Sequence, residues 1–158
     1  MSYLLLENYI KSIIEKNTIK ELHVFDFDMT LYNHNKKDWF KNVMLNLKKS
    51  LNDPNIRVIL CTARNKSENL ILNTERLLST CKMSLEDFDE CYFKSTHRKE
   101  KTPIYKSNVI LDEVSSNTNI IKVKFWDDRE DTLNQVKKDL KEYNENIIYI
   151  PINPSKVA

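Results

Sequence analysis

Apolar residues fall along this chain in short blocks whose spacing switches between two periods. Over residues 3–17, Leu5, Leu6, Tyr9, Ile10, Ile13 and Ile14 recur at three- and four-residue steps. That is the spacing of one face of an α-helix, so an amphipathic helix is expected there. Leu22-His23-Val24-Phe25 is a compact apolar run that stops at Asp26-Phe27-Asp28, which reads as a buried strand. Helical spacing returns over residues 37–51 through Trp39, Phe40, Val43, Met44, Leu47 and Leu51, until Asp53-Pro54 breaks it.

The second half repeats the alternation. Ile56 to Cys61 is a second buried strand, ending in Thr62-Ala63-Arg64, and a helix from Ser67 to about Cys81 carries Leu70, Ile71, Leu77 and Leu78 on one face. Glu90 to Phe93 forms a short strand. Pro103 suits the first turn of a helix running to about Ser115, where its missing N–H is not needed. Strand Ile120–Trp126, helix Thr132–Tyr143 and strand Ile147–Ile152 follow, with Pro151 and Pro154 marking a frayed end. Strands alternating with helices imply right-handed βαβ units and a parallel sheet covered on both faces. The expected architecture is α/β, a three-layer sandwich around a central parallel sheet. One domain over residues 1–158 is expected, with an amino-terminal helix in 1–20 and a core over about 21–152.

Composition changes the picture in three places. A net charge of +2 argues neither for nucleic acid nor for membrane, so electrostatics must come from local clusters. The chain has three cysteines, Cys61, Cys81 and Cys91, with no Cys-x-x-Cys pair. A zinc ribbon is not expected, and the sparse thiols fit a reducing, cytoplasmic setting. Leu4-Leu5-Leu6 is too short for a membrane span. Glycine is absent, which excludes a P-loop or a dinucleotide fingerprint. Positive-φ turns should then fall to Asn and Asp, at Asn33-His34-Asn35 and Asn52-Asp53-Pro54-Asn55.

Polar chemistry collects at strand ends: Asp26 and Asp28, then Thr62 and Arg64, then Asp127, Asp128 and Arg129. All carboxyl ends of a parallel sheet share one edge, and ligands bind there where strand order reverses. Four carboxylates gathered at one edge repel unless a cation lies among them, and hard oxygen ligands suit magnesium. Carboxylates with a metal that can hold a phosphoryl oxygen are the parts of phosphoryl transfer, and an Asp can be its nucleophile.

Asp26-Phe27-Asp28-Met29-Thr30 after an apolar strand resembles the first motif of the haloacid dehalogenase superfamily. Thr62 resembles the second motif, and Asp127-Asp128 after Phe125-Trp126 the fourth. The resemblance runs from about Glu21 to Ile150 and implies an Mg2+-dependent phosphatase. It makes Asp26 the nucleophile and a metal ligand, and Asp28 the general acid/base, with its backbone carbonyl on the metal. Thr62 would hydrogen-bond the phosphoryl group, and Asp127 with Asp128 would complete the metal site. The third motif is a lysine. Lys106, in Lys-Thr-Pro-Ile-Tyr-Lys, is assigned to it, with Lys94 and Lys101 as rivals. Ala63 departs from the glycine many relatives carry.

Arg64 has two readings, a contact to substrate phosphate or an ion pair with a structural carboxylate. Arg129 reads as a structural ion pair, His97 as exposed, and Cys61, Trp39 and Trp126 as core. The intervals Thr30–Thr62 and Arg64–Lys106 are too short for a large cap, so the crevice should admit bulky substrates. Lys94, Arg98 and Lys101 in the basic loop before Lys106 would bind a polyanion. The chain is similar to the phosphatase domains of polynucleotide kinase-phosphatases and to the haloacid dehalogenase domains of Swiss Army knife RNA repair proteins. That similarity implies removal of a terminal phosphate, most naturally 3′, from RNA or DNA ends. A capless phosphatase for phosphoproteins or small esters, and a catalytically silent binding module, are the alternatives.

Overall fold

The computed structural model describes residues 2–156, and in that range the side chains of all but residues 14–18. In chain order the elements are α1 (Tyr3–Thr18), β1 (Glu21–Phe25), β2 (Tyr32–Asn33), β3 (Asp38–Trp39), α2 (Lys41–Leu51), β4 (Ile56–Asn65), α3 (Glu68–Ser79), β5 (Glu90–Lys94), α4 (Thr102–Ser116), β6 (Lys122–Trp126), α5 (Glu130–Tyr143) and β7 (Ile148–Ile152). The main sheet has order β5-β4-β1-β6-β7, and every pairing in it is parallel. From β1 the chain steps outward to β4 and β5, then returns to the other side of β1 for β6 and β7. The order therefore reverses at β1, and the crevice lies at its carboxyl end between β4 and β6.

Two-residue alternation along the strands feeds two cores. Leu22, Val24, Ile59, Cys61, Val123 and Phe125 pack with Tyr105, Val109 and Ile110 of α4 and Leu133, Val136 and Leu140 of α5. Phe25, Val58, Leu60 and Trp126 pack on the other face with Val43, Met44 and Leu47 of α2 and Leu78 of α3. The result is the three-layer α/β sandwich expected from the sequence. Neither interval holds a cap domain: the first contains the small β2–β3 hairpin and α2, the second α3, a short 3-10 turn at Leu85–Asp87 and β5.

Three expectations need correction. The helix of residues 37–51 begins at Lys41, because Asp38–Trp39 pairs antiparallel with Tyr32–Asn33. Trp39 fits helical spacing equally well, but its ring packs edge-on against Tyr32 and Phe27 in the hairpin. Among the described residues the positive-φ positions are Met29, Lys37 and Lys82, not Asn or Asp. Asn33 and Asp53 make their turns by accepting backbone N–H groups on their side chains instead: Asn35 and Lys36 on Asn33, Asn55 on Asp53. Pro151 does not mark a frayed end. It sits in β7 at the sheet edge, where a missing N–H is tolerated. The apolar residues of α1 face solvent and do not pack on the sheet; the side chain of Ile14 lies outside the described residues.

Candidate active site

Asp26 follows β1 directly, and its N–H donates to the Trp126 carbonyl (3.0 Å), which ties the end of β1 to the end of β6. The backbone then turns sharply: the Phe27 carbonyl accepts the N–H groups of Thr30, Leu31 and Tyr32, and Met29 takes a positive φ. This turn brings Thr30 back under Asp26, and its hydroxyl donates to Asp26 Oδ2 (2.9 Å). Lys106, on the first turns of α4, is buried and donates to both Asp26 Oδ1 (2.8 Å) and Asp127 Oδ2 (2.6 Å). The other Asp127 oxygen accepts the Arg129 N–H (2.9 Å).

One oxygen from each of Asp26, Asp127 and Asp128 lies within 4.8 Å of the others. Burial and the neighbouring Asp26 charge push both Asp127 and Asp128 up to about 6. Burial would lower the Lys106 ammonium, but Asp26 and Asp127 hold it well above the ordinary lysine value. Three carboxylates facing one ammonium leave an excess of about two negative charges, which a divalent cation would neutralise. An all-oxygen donor set of this kind fits magnesium.

Asp28 points elsewhere. Arg64 Nε and Nη2 fork onto its carboxylate at 2.9 and 2.8 Å, and His34 Nε2 lies 2.5 Å from Oδ1. Burial would raise this carboxyl, but the hydrogen bonds from Arg64 and His34 hold it below its usual range. Arg64 also donates from Nη1 to Asn73 and Thr74 and stacks over Phe27. Arg64 is thus paired with a carboxylate, that of Asp28 beside the crevice. Thr62 is fully buried, and its hydroxyl accepts the Arg64 N–H (3.1 Å), which leaves its own proton to give.

The structure thus brings Asp26, Lys106, Asp127 and Asp128 together, with Asp28 and Arg64 beside them. Of the three candidate lysines, Lys106 touches the carboxylates. Lys94 donates to the Glu100 carbonyl (2.5 Å), and Lys101 precedes α4 as its exposed N-cap. Arg98 pairs with Glu100 and lies over the Tyr105 ring, one residue from Lys106. The basic loop is therefore partly neutralised within itself. Arg129 pairs with the exposed Asp131, His97 is exposed, and Trp126 is core, stacked on Phe25. Sequence reasoning gave no role to Thr30, which lay inside the quoted motif four residues from Asp26, nor to His34, which carried no signal because only the hairpin brings it to Asp28.

A parallel α/β sandwich with an aspartate-rich crevice at the switch point, a lysine from the following helix and no cap defines a phosphatase-type domain of the haloacid dehalogenase class. The chain belongs to HAD domain family 1 in Swiss Army Knife RNA repair proteins, whose sequence profile matches residues 8–157. No curated protein matches the chain.

Proposed function

We propose that this chain is a magnesium-dependent phosphatase that forms an aspartyl-phosphate on Asp26 and removes the terminal 3′ phosphate from RNA or DNA ends. The observation that carries the reading is the excess of negative charge around Asp26, Asp127 and Asp128, compensated only in part by Lys106. Asp26, Asp127 and Asp128, with the Asp28 carbonyl, would hold Mg2+; when bound, the ion offsets the charge of the phosphoryl oxygens.

In the first step a carboxylate oxygen of Asp26 attacks phosphorus. The bond to the ester oxygen breaks, and that oxygen takes a proton from Asp28. Thr62 donates its hydroxyl proton to a phosphoryl oxygen, and Lys106 holds Asp26 in place. In the second step Asp28, now a carboxylate, takes a proton from water. The water oxygen attacks phosphorus, the bond to Asp26 breaks, and inorganic phosphate leaves. Arg64 and His34 favour the ionised Asp28 that the second step needs. The first step needs it protonated, so Arg64 must ease off Asp28 as the phosphoryl group arrives. The family's RNA-repair setting, the uncapped crevice and the basic residues Lys94, Arg98 and Lys101 support a nucleic-acid end over a small ester.

The test is phosphate release from a 3′-phosphorylated oligonucleotide with Mg2+. Turnover is expected from the wild type and should vanish in Asp26→Asn and on chelation. Equal turnover by Asp26→Asn would overturn the nucleophile assignment. A wild type active on phosphopeptides or small esters but not on the oligonucleotide would overturn the substrate.

A further inference from the structure

Every residue of α1 from Tyr3 to Ile13 is exposed. The large apolar ones range from 41 % exposure at Ile13 to 78 % at Tyr3. Around the helix, Tyr3, Leu5, Leu6, Tyr9, Ile10 and Ile13 occupy one half, and Glu7, Asn8, Lys11 and Ser12 the other, with the exposed Leu4 among them. Tyr3, Leu6, Ile10 and Ile13 follow the alternating three- and four-residue step that forms the seam of paired helices. A helix of 16 residues is marginal in water on its own, and the described side chains of this one, Tyr3 to Ile13, are all exposed.

Two further exposed apolar residues lie near the helix foot. The Lys20 carbonyl accepts the Ile121 N–H (2.9 Å), and the Ile121 carbonyl accepts the Ile148 N–H (2.9 Å). Ile121 and Ile148 are themselves 57 % and 53 % exposed. At about 200 Å2 per fully exposed side chain, the stripe and its foot present roughly 900 Å2, against about 800 Å2 that each partner gives a standard interface. Glu7 and Lys11 balance each other on the polar half. A helix built for an anionic lipid surface carries a basic polar face, whereas a neutral one meets its own copy without net repulsion.

We propose that α1 pairs with α1 of a second copy of this chain, apolar half to apolar half, with Ile121 and Ile148 at the foot of each helix completing the contact. The reading is independent of the chemistry at Asp26.

Sedimentation equilibrium of the full chain between about 1 and 100 μM tests it. The wild type should sediment as a dimer, with far-UV helix signal rising with concentration. The double variant Ile10→Glu/Ile13→Glu should sediment as a monomer, as should Tyr9→Lys, a second disruption of the same stripe. A wild type that stays monomeric across the range overturns the proposal, as does a dimer that survives both variants. Wild-type monomer that binds phosphatidylcholine–phosphatidylserine vesicles overturns it in favour of a lipid surface.

Discussion

Asp28 is gripped from two sides, by the fork of Arg64 and by His34, whose ring is braced edge-on by Tyr32. Two donors on one carboxylate fix its direction as well as its charge. A carboxyl that protonates a leaving oxygen matters most when that oxygen is a poor leaving group. His34→Asn should therefore lower kcat by roughly tenfold on alkyl phosphates such as a ribose 3′ phosphate, and much less on p-nitrophenyl phosphate, whose leaving group needs no proton. Parallel kinetics on the two substrates check this; an equal loss on both would place the effect of His34 on the second step, which the substrates share, or on hairpin stability, and not on protonation of the leaving oxygen. Lys106 shows the same logic at the other carboxylates. The resemblance, and its place in a segment that opens a helix before the fourth motif, made it a candidate, but what separates it from Lys94 and Lys101 is burial between Asp26 and Asp127.

Among the elements, α4 is anchored at both ends by buried charge. Lys106 ties its amino-terminal part to the strand ends. Near its carboxyl end, Glu113 accepts a fork from Arg57 of β4 (2.6 and 3.1 Å) and the Tyr92 hydroxyl of β5 (2.5 Å). Glu113 is almost fully buried, so its loss would leave Arg57 and Tyr92 without an acceptor. Glu113→Ala should cost about 3–5 kcal/mol of stability, and Glu113→Gln less, by urea denaturation. Phosphate release per folded molecule should hold, because Arg57, at the start of β4, and Glu113, near the end of α4, lie away from the strand ends that form the crevice. The β2–β3 hairpin is the element that periodicity misread. Two-residue strands are too short to declare a period of two, and Trp39-Phe40 fitted the helical spacing of the residues after them.

At the scale of the whole molecule, the crevice stores electrostatic cost. Burial, and then the neighbouring Asp26 charge, push Asp127 and Asp128 up to about 6, so ionising them in the ion-free protein at neutral pH is costly. A cation that binds the folded chain and not the unfolded one must then raise stability. Mg2+ at a hundredfold excess over its dissociation constant should add about 2.7 kcal/mol, read as a higher melting temperature by calorimetry. The shift should disappear in Asp127→Asn and survive in Glu113→Gln. No shift in the wild type at any Mg2+ concentration would sink the metal assignment.

The sequence by itself determined the layers and the address of the site. Apolar runs that stop at Asp26, Thr62 and Asp127 are local patterns, and a parallel sheet carries every such stop to one edge whatever the details of packing. Tertiary structure alone decided which side chains meet there. Lys106 reaches Asp26 across 80 residues of sequence and Arg64 reaches Asp28 across 36, distances over which no periodicity carries information. It also decided that the apolar face of α1, which looks in sequence like any core-facing stripe, is left in water, because hydrophobic spacing says that a face will be buried and not against what.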